Sequence, residues 1–122
     1  MIDKLYKIVE GLNARFAGGH DPFQIVTRLV EECGEVAAEV NHLEGMGVKA
    51  RKLGPPDRNK LAKELSQVIG AALQLSIHYG LQAELAASVD DTYRRVVSEG
   101  WVAPLASDAV EPQDACEPRE AG

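Results

Sequence analysis

Two stretches of this chain carry acidic residues at a spacing that sets side chains next to one another on a helix. One reads Arg28-Leu29-x-x-Glu32-x-x-Glu35-Val36, and further along the chain a second reads Lys60-Leu61-x-x-Glu64-x-x-Gln67-Val68. A basic residue, a leucine, a glutamate, a carboxylate or amide, and a valine recur at the same offsets. Residues three apart on an α-helix differ by about 60° around the axis, so Glu32 and Glu35 project from one side. Glu31 and Glu39 extend the same acidic stripe. Like charges at this spacing repel, and they become favourable together when a hard divalent cation sits among them. Oxygen ligands without Cys or His select Mg²⁺, or Mn²⁺, over zinc. A solvated face of glutamates, which are good helix formers, is the other reading of the same residues.

A basic segment lies beside these carboxylates. From Lys49 to Lys63 there are six bases (Lys49, Arg51, Lys52, Arg58, Lys60 and Lys63) against one acid, Asp57. Cations that neutralise phosphate oxygens, next to carboxylates that hold a metal, are what a phosphate ester substrate requires. A solvated loop accounts for the bases equally well when they are taken alone.

Four helical segments are needed to position these groups. The first runs from about Ile2 to Phe16 and stops at Gly18-Gly19. The second opens at Asp21-Pro22, an N-cap carboxylate followed by proline. Its apolar seam is Val26, Leu29, Cys33, Val36, Val40 and Leu43, the 3–4 spacing of a helix that faces another helix. A Gly- and Pro-containing connector, Met46 to Pro56, leads to the third helix, which starts near Asp57 and stops at Gly80. Its apolar residues form a seam (Leu61, Leu65, Val68, Ala72, Leu75, Tyr79) widened by Ile69, Leu73 and Ile77, so this helix is expected to be buried on two sides. Gly70 in its interior reflects either close approach of a neighbouring helix or a tolerated defect. The fourth covers Gln82 to Glu99. If the second and third helices pair antiparallel, Glu32, Glu35 and Glu64 converge. No segment alternates like a strand, and the expected class is all-α.

Composition sets the limits. The 122 residues suit one domain, 45% apolar and 26% charged, with 5% aromatics, so Leu, Val, Ile and Ala must build the core. The net charge of −6 argues against a surface for nucleic acid or anionic lipid. Residues 1–101 hold 12 bases and 14 acids, whereas 102–122 hold five acids and one base. The first range is expected to be the helical domain and the second an acidic, disordered tail. No apolar run is long enough to span a bilayer, and no signal-peptide pattern opens the chain. Cys33 and Cys116 lack metal or redox spacing, and a reduced, cytoplasmic setting is expected. His20, His42 and His78 read as structural, with His78 on the stripe of Glu64, Gln67 and Gln74.

The segments Glu31-Glu32-Cys33-Gly34-Glu35 and Lys63-Glu64-Leu65-Ser66-Gln67-Val68 resemble the MazG-like, all-α nucleoside triphosphate pyrophosphohydrolases, whose pattern is ExxE on one helix and ExxD on the next. The resemblance covers about Pro22 to Trp101. It implies a four-helix core assembled as a homodimer or homotetramer. It also implies Mg²⁺-dependent cleavage of a nucleoside triphosphate between the α- and β-phosphates, giving a monophosphate and pyrophosphate. Glu32 and Glu35 match the first pair and Glu64 the first residue of the second. Gln67 stands where the family has Asp, and an amide contributes no charge to a hard cation. Either one metal binds weakly, or Asp90 or Asp91 substitutes, or catalysis is lost. On this reading Glu31, Glu32 and Glu35 are the catalytic carboxylates. Glu32, Glu35, Glu64, Gln67 and Asp91 are the metal ligands, and Lys49, Arg51, Lys52, Lys60 and Arg94 the phosphate contacts. A helical oligomer that binds a nucleotide or a protein partner without turnover is the alternative.

Overall fold

A side chain placed just ahead of each of two long helices fixes its first turn. The computed structural model describes residues 1–108, apart from the side chains of Lys49 and Ala50. Asp21 precedes α2 (Pro22–Leu43), and its Oδ1 accepts from the Gln24 N–H at 3.0 Å. Asp57 precedes α4 (Arg58–His78) and accepts from the Asn59 N–H at 2.9 Å. Each satisfies an N-terminal donor that the helix itself cannot. Both helices end on a glycine in the left-handed region, Gly45 (φ +70°) and Gly80 (φ +64°). The next residues close these ends: the Met46 N–H donates to the Asn41 carbonyl at 2.6 Å and the Leu81 N–H to that of Ser76 at 2.8 Å. The other helices are α1 (Ile2–Arg15), α3 (Gly47–Lys52) and α5 (Gln82–Ser98), followed by a short 3₁₀ turn at Ala106–Asp108. The described residues contain no strand, and the fold is all-α.

The chain divides into two units, Met1–Leu85 and Ala86–Gly122, the second described as far as Asp108. In the first unit α4 is the shared helix, packed against α2 and against α1. It has a neighbour on two sides, but burial is less than its wide apolar face predicts: Leu65, Ala72 and Tyr79 of the expected seam are exposed, and only Leu73, Gln74 and Ser76 are buried. Its contacts run antiparallel to α2. His20, just ahead of α2, meets Gln74; Glu32 meets Gln67; and His42, at the end of α2, reaches the Gly54 carbonyl at 2.7 Å. A bond between Tyr6 Oη and Ser76 Oγ at 3.5 Å joins α1 to α4.

The packing face of α2 is rotated from the expected seam. Ile25, 1% exposed, is its most buried residue, and Leu29, Glu32, Val36, Glu39 and His42 continue the covered side. Val26, Cys33 and Val40 of the expected seam stay exposed, together with Val30. The apolar stripe is wider than a single chain covers: α4 takes one flank and leaves the other open. Only four hydrophobic side chains among the described residues are buried: Leu5, Val9, Ile25 and Leu73.

The connector holds more structure than its Gly and Pro content suggests. α3 packs on α2, and buried His42 ties the segment after α3 back to the end of α2. In the second unit the segment after α5 is fastened by the Leu105 N–H, which donates to Tyr93 Oη at 2.6 Å. Most of the acidic tail, from Ala109 through Cys116 to Gly122, lies outside the described residues. No described helix is long and apolar enough to cross a membrane.

Replacing Ile25 by Ala is expected to cost about 2–5 kcal/mol, from lost burial plus the cavity left behind. Asp21→Ala should cost about 1 kcal/mol through the lost cap. Denaturant unfolding of both variants measures the two values.

Candidate functional site

Antiparallel packing of α2 on α4 sets a glutamate from each helix against the other. Glu32 and Glu64 are both half-buried and meet at this contact. Gln67, one turn beyond Glu64, points its carboxamide at both. With Nε2 toward the carboxylates, the orientation that satisfies every group, it donates to Glu64 Oε2 at 2.7 Å and to Glu32 Oε2 at 3.1 Å. An amide N–H₂ carries two donors and no acceptor, so it bridges two carboxyl groups that would otherwise repel.

The electrostatics follow from this crowding. Burial first, then the bond to Glu64, then the negative charges of Glu64, Glu35 and Glu31 all push the Glu32 carboxyl above the usual glutamate range. Glu31 and Glu35 are themselves exposed on α2, near enough to act on Glu32 through their charge.

Glu32 and Gln67 also form part of the wall of a cavity of about 570 Å³ that lies between α1, α2 and α4 and is open to solvent. Leu5, Ile8, Val9, Leu12 and Phe16 of α1 give it an apolar side. Gly70 and Gln74 of α4 contribute to another side. A Cβ added at Gly70 would meet nothing within 4 Å, so neither close helix approach nor crowding accounts for this glycine. It opens onto the cavity.

The loop between α1 and α2 is tied down where it meets this space. Gly19 offers its carbonyl to the Arg28 guanidinium, and the Phe16 carbonyl faces His20 Nε2. Gln74 Nε2 lies 2.8 Å from Asn13 Oδ1 and 3.3 Å from His20 Nδ1, linking α1, the loop and α4.

Comparison with protein-family models, with curated proteins and with solved structures finds no match.

The structure brings Glu32, Glu64 and Gln67 of the expected residues together, with Glu31 and Glu35 beside them. Arg51, Lys52 and Lys60 are exposed, and the Lys49 side chain lies outside the described residues. Asp91 and Arg94 lie on α5 in the second unit, 2.9 Å from each other and exposed. His78 is exposed and stacks edge-on against Tyr79, with ring centroids 4.8 Å apart. Asn13, His20, Arg28 and Gln74 carry more of the site than the sequence indicated. Their one signal there was polarity on otherwise apolar helix faces or at a loop end.

Glu32 and Glu64 are the two carboxyl groups that the α2–α4 contact brings together. Mg²⁺ ordinarily takes one or two carboxylates plus phosphate oxygens and water. No group of three His, Cys, Asp or Glu side chains suited to a metal forms among the described residues.

A carboxyl group that holds its proton more tightly when folded stabilises the fold below its unfolded pKa. That contribution is lost as pH rises through the raised folded value. Ionisation of Glu32 therefore weakens the fold as pH rises. Glu32→Gln, which cannot ionise, should be more stable than the parent protein at pH 7. The advantage should vanish near about pH 3.5, below the ordinary glutamate range. Urea midpoints across this pH range test both statements.

Proposed function

We propose that this chain is a Mg²⁺-dependent nucleoside triphosphate pyrophosphohydrolase of the MazG-like, all-α kind. The observation that carries the reading is the position of Glu32, which belongs both to the inter-helix carboxylate pair and to the wall of an apolar cavity. A cavity of this volume is of ordinary size for a small molecule with one apolar and one charged end. Glu32 and Glu64, with Glu35 beside them, are the residues that would hold Mg²⁺, or Mn²⁺. When bound, the ion supplies charge neutralisation of phosphate oxygens and a more acidic water.

The chain's own side chains supply the rest. Exposed Glu31 adjoins Glu32 in sequence and is the base that accepts the proton of the attacking water. Attack on phosphorus breaks the bond to the bridging oxygen between the α- and β-phosphates, and pyrophosphate leaves. Lys60, one turn before Glu64, provides positive charge for the phosphates, with Arg51 and Lys52 of α3 as further candidates. Lys49 and Arg94 remain expectations from sequence.

Incubation with a panel of NTPs and dNTPs plus Mg²⁺ or Mn²⁺ should release pyrophosphate and a monophosphate without free phosphate. Glu35→Gln and Glu64→Gln should lower the rate about 100-fold or more. Pyrophosphate no higher than in the Glu35→Gln control would defeat the enzyme reading.

The bridging amide favours a second reading, a nucleotide-binding oligomer with little or no turnover. Gln67 donates where a cation would sit, and it adds no charge to hold one. Calorimetry separates the two readings, since Mg²⁺-dependent nucleotide binding without pyrophosphate release supports the binder. Gln67→Asp should then tighten metal binding and raise turnover.

The open flank of α2 supports assembly. Val26, Val30, Cys33 and Val40 form an exposed apolar stripe at helix-pairing spacing, and burial within one chain is slight. A second copy laid along this stripe completes the core as a homodimer, or in pairs as a homotetramer. Sedimentation should give a multiple of 13.2 kDa, and Val26→Glu with Val40→Glu should shift it toward the single-chain mass. A single-chain mass for the unaltered protein across micromolar concentrations would exclude the assembly.

A further inference from the structure

The polar end of the cavity is a fixed hydrogen-bonding arrangement centred on Gln74, which is 7% exposed. The Phe16 carbonyl can only accept, so His20 Nε2, which faces it, carries the ring hydrogen. In the neutral imidazole, Nδ1 is then an acceptor. Gln74 Nε2 reaches this Nδ1 at 3.3 Å and Asn13 Oδ1 at 2.8 Å, so both amide hydrogens are committed. Turning the amide over would set its oxygen against two acceptors. Gln74 Oε1 accepts no bond among the described residues, and Gln74 lines the cavity. The cavity thus offers an oriented acceptor at one place, an apolar side built by α1, and the carboxylate pair at another.

We propose that the cavity takes the base of the nucleotide, and that Gln74 selects bases with an exocyclic amine over those with a carbonyl at the same position. Cytosine is then favoured over uracil, and adenine over hypoxanthine. The amine donates to Oε1. A carbonyl there would bring two acceptors together, and the bonds to Asn13 and His20 stop the amide from turning to suit it. Leu12 and Phe16 offer apolar contact to the faces of a flat ring. Gln74 is thus a specificity-determining residue, an assignment that rests on the nucleotide reading above.

The test is calorimetric titration of the full chain, in Mg²⁺, with the α,β-methylene analogues of CTP, UTP, ATP and ITP. The amine-bearing member of each pair should bind about tenfold tighter or more. Gln74→Leu should bring both ratios close to one. Asn13→Ala leaves Gln74 in place but frees its amide to turn, and should also reduce the ratios. Circular dichroism establishes that each variant is folded, and if Gln74→Leu is not, Asn13→Ala decides. Equal binding within each pair, or preferences unchanged in these variants, overturns the role of Gln74 and leaves the nucleotide reading standing. Failure of all four analogues to bind overturns both.

Discussion

Helix α4 has to be covered on two sides at once, and the arrangement of the first unit follows from that requirement. Its apolar residues extend too far around the helix for one neighbour, so α2 takes one side and α1 another. The cavity lies between these three helices and opens to solvent, and the antiparallel run of α2 along α4 is what brings Glu32 to Glu64. A helix that wide and apolar therefore produces both a hollow and a charged seam beside it. Neither requires a residue strained in its backbone, since every left-handed residue described is a glycine.

The charged seam shows how a fold tolerates a local conflict. Two carboxyl groups at a helix contact are unfavourable unless something electropositive sits with them. Here the Gln67 amide serves that purpose, donating to both carboxyl groups. On the proposed function, a metal ion would compete with the Gln67 amide for the same carboxylate oxygens.

Much of this was legible in the sequence. Asp21-Pro22, Asp57 and Gly80 mark helix ends because capping and left-handed turns depend on single local residues. The convergence of Glu32 with Glu64 followed from spacing and antiparallel pairing. The packing face of α2 was not legible, because its apolar stripe is broad and hydrophobicity alone does not say which flank a chain covers itself. Glu32 sits on the covered flank, where a hydropathy pattern would put an aliphatic residue. α3 was missed because six residues are too few to show a period. The network of Asn13, His20 and Gln74 joins residues far apart in sequence, and such contacts leave no local trace.

Gly70 shows how the demands of folding and of binding divide at one position. A helix interior with glycine is weaker by about 1 kcal/mol than one with alanine. A methyl group at Gly70 would meet no neighbour, so local packing gives no reason to forgo that gain. The side chain missing from the backbone is room in the cavity instead. Progressively larger residues here would act as a ruler laid into the hollow, registering the thickness of whatever enters it while the helix itself grows firmer.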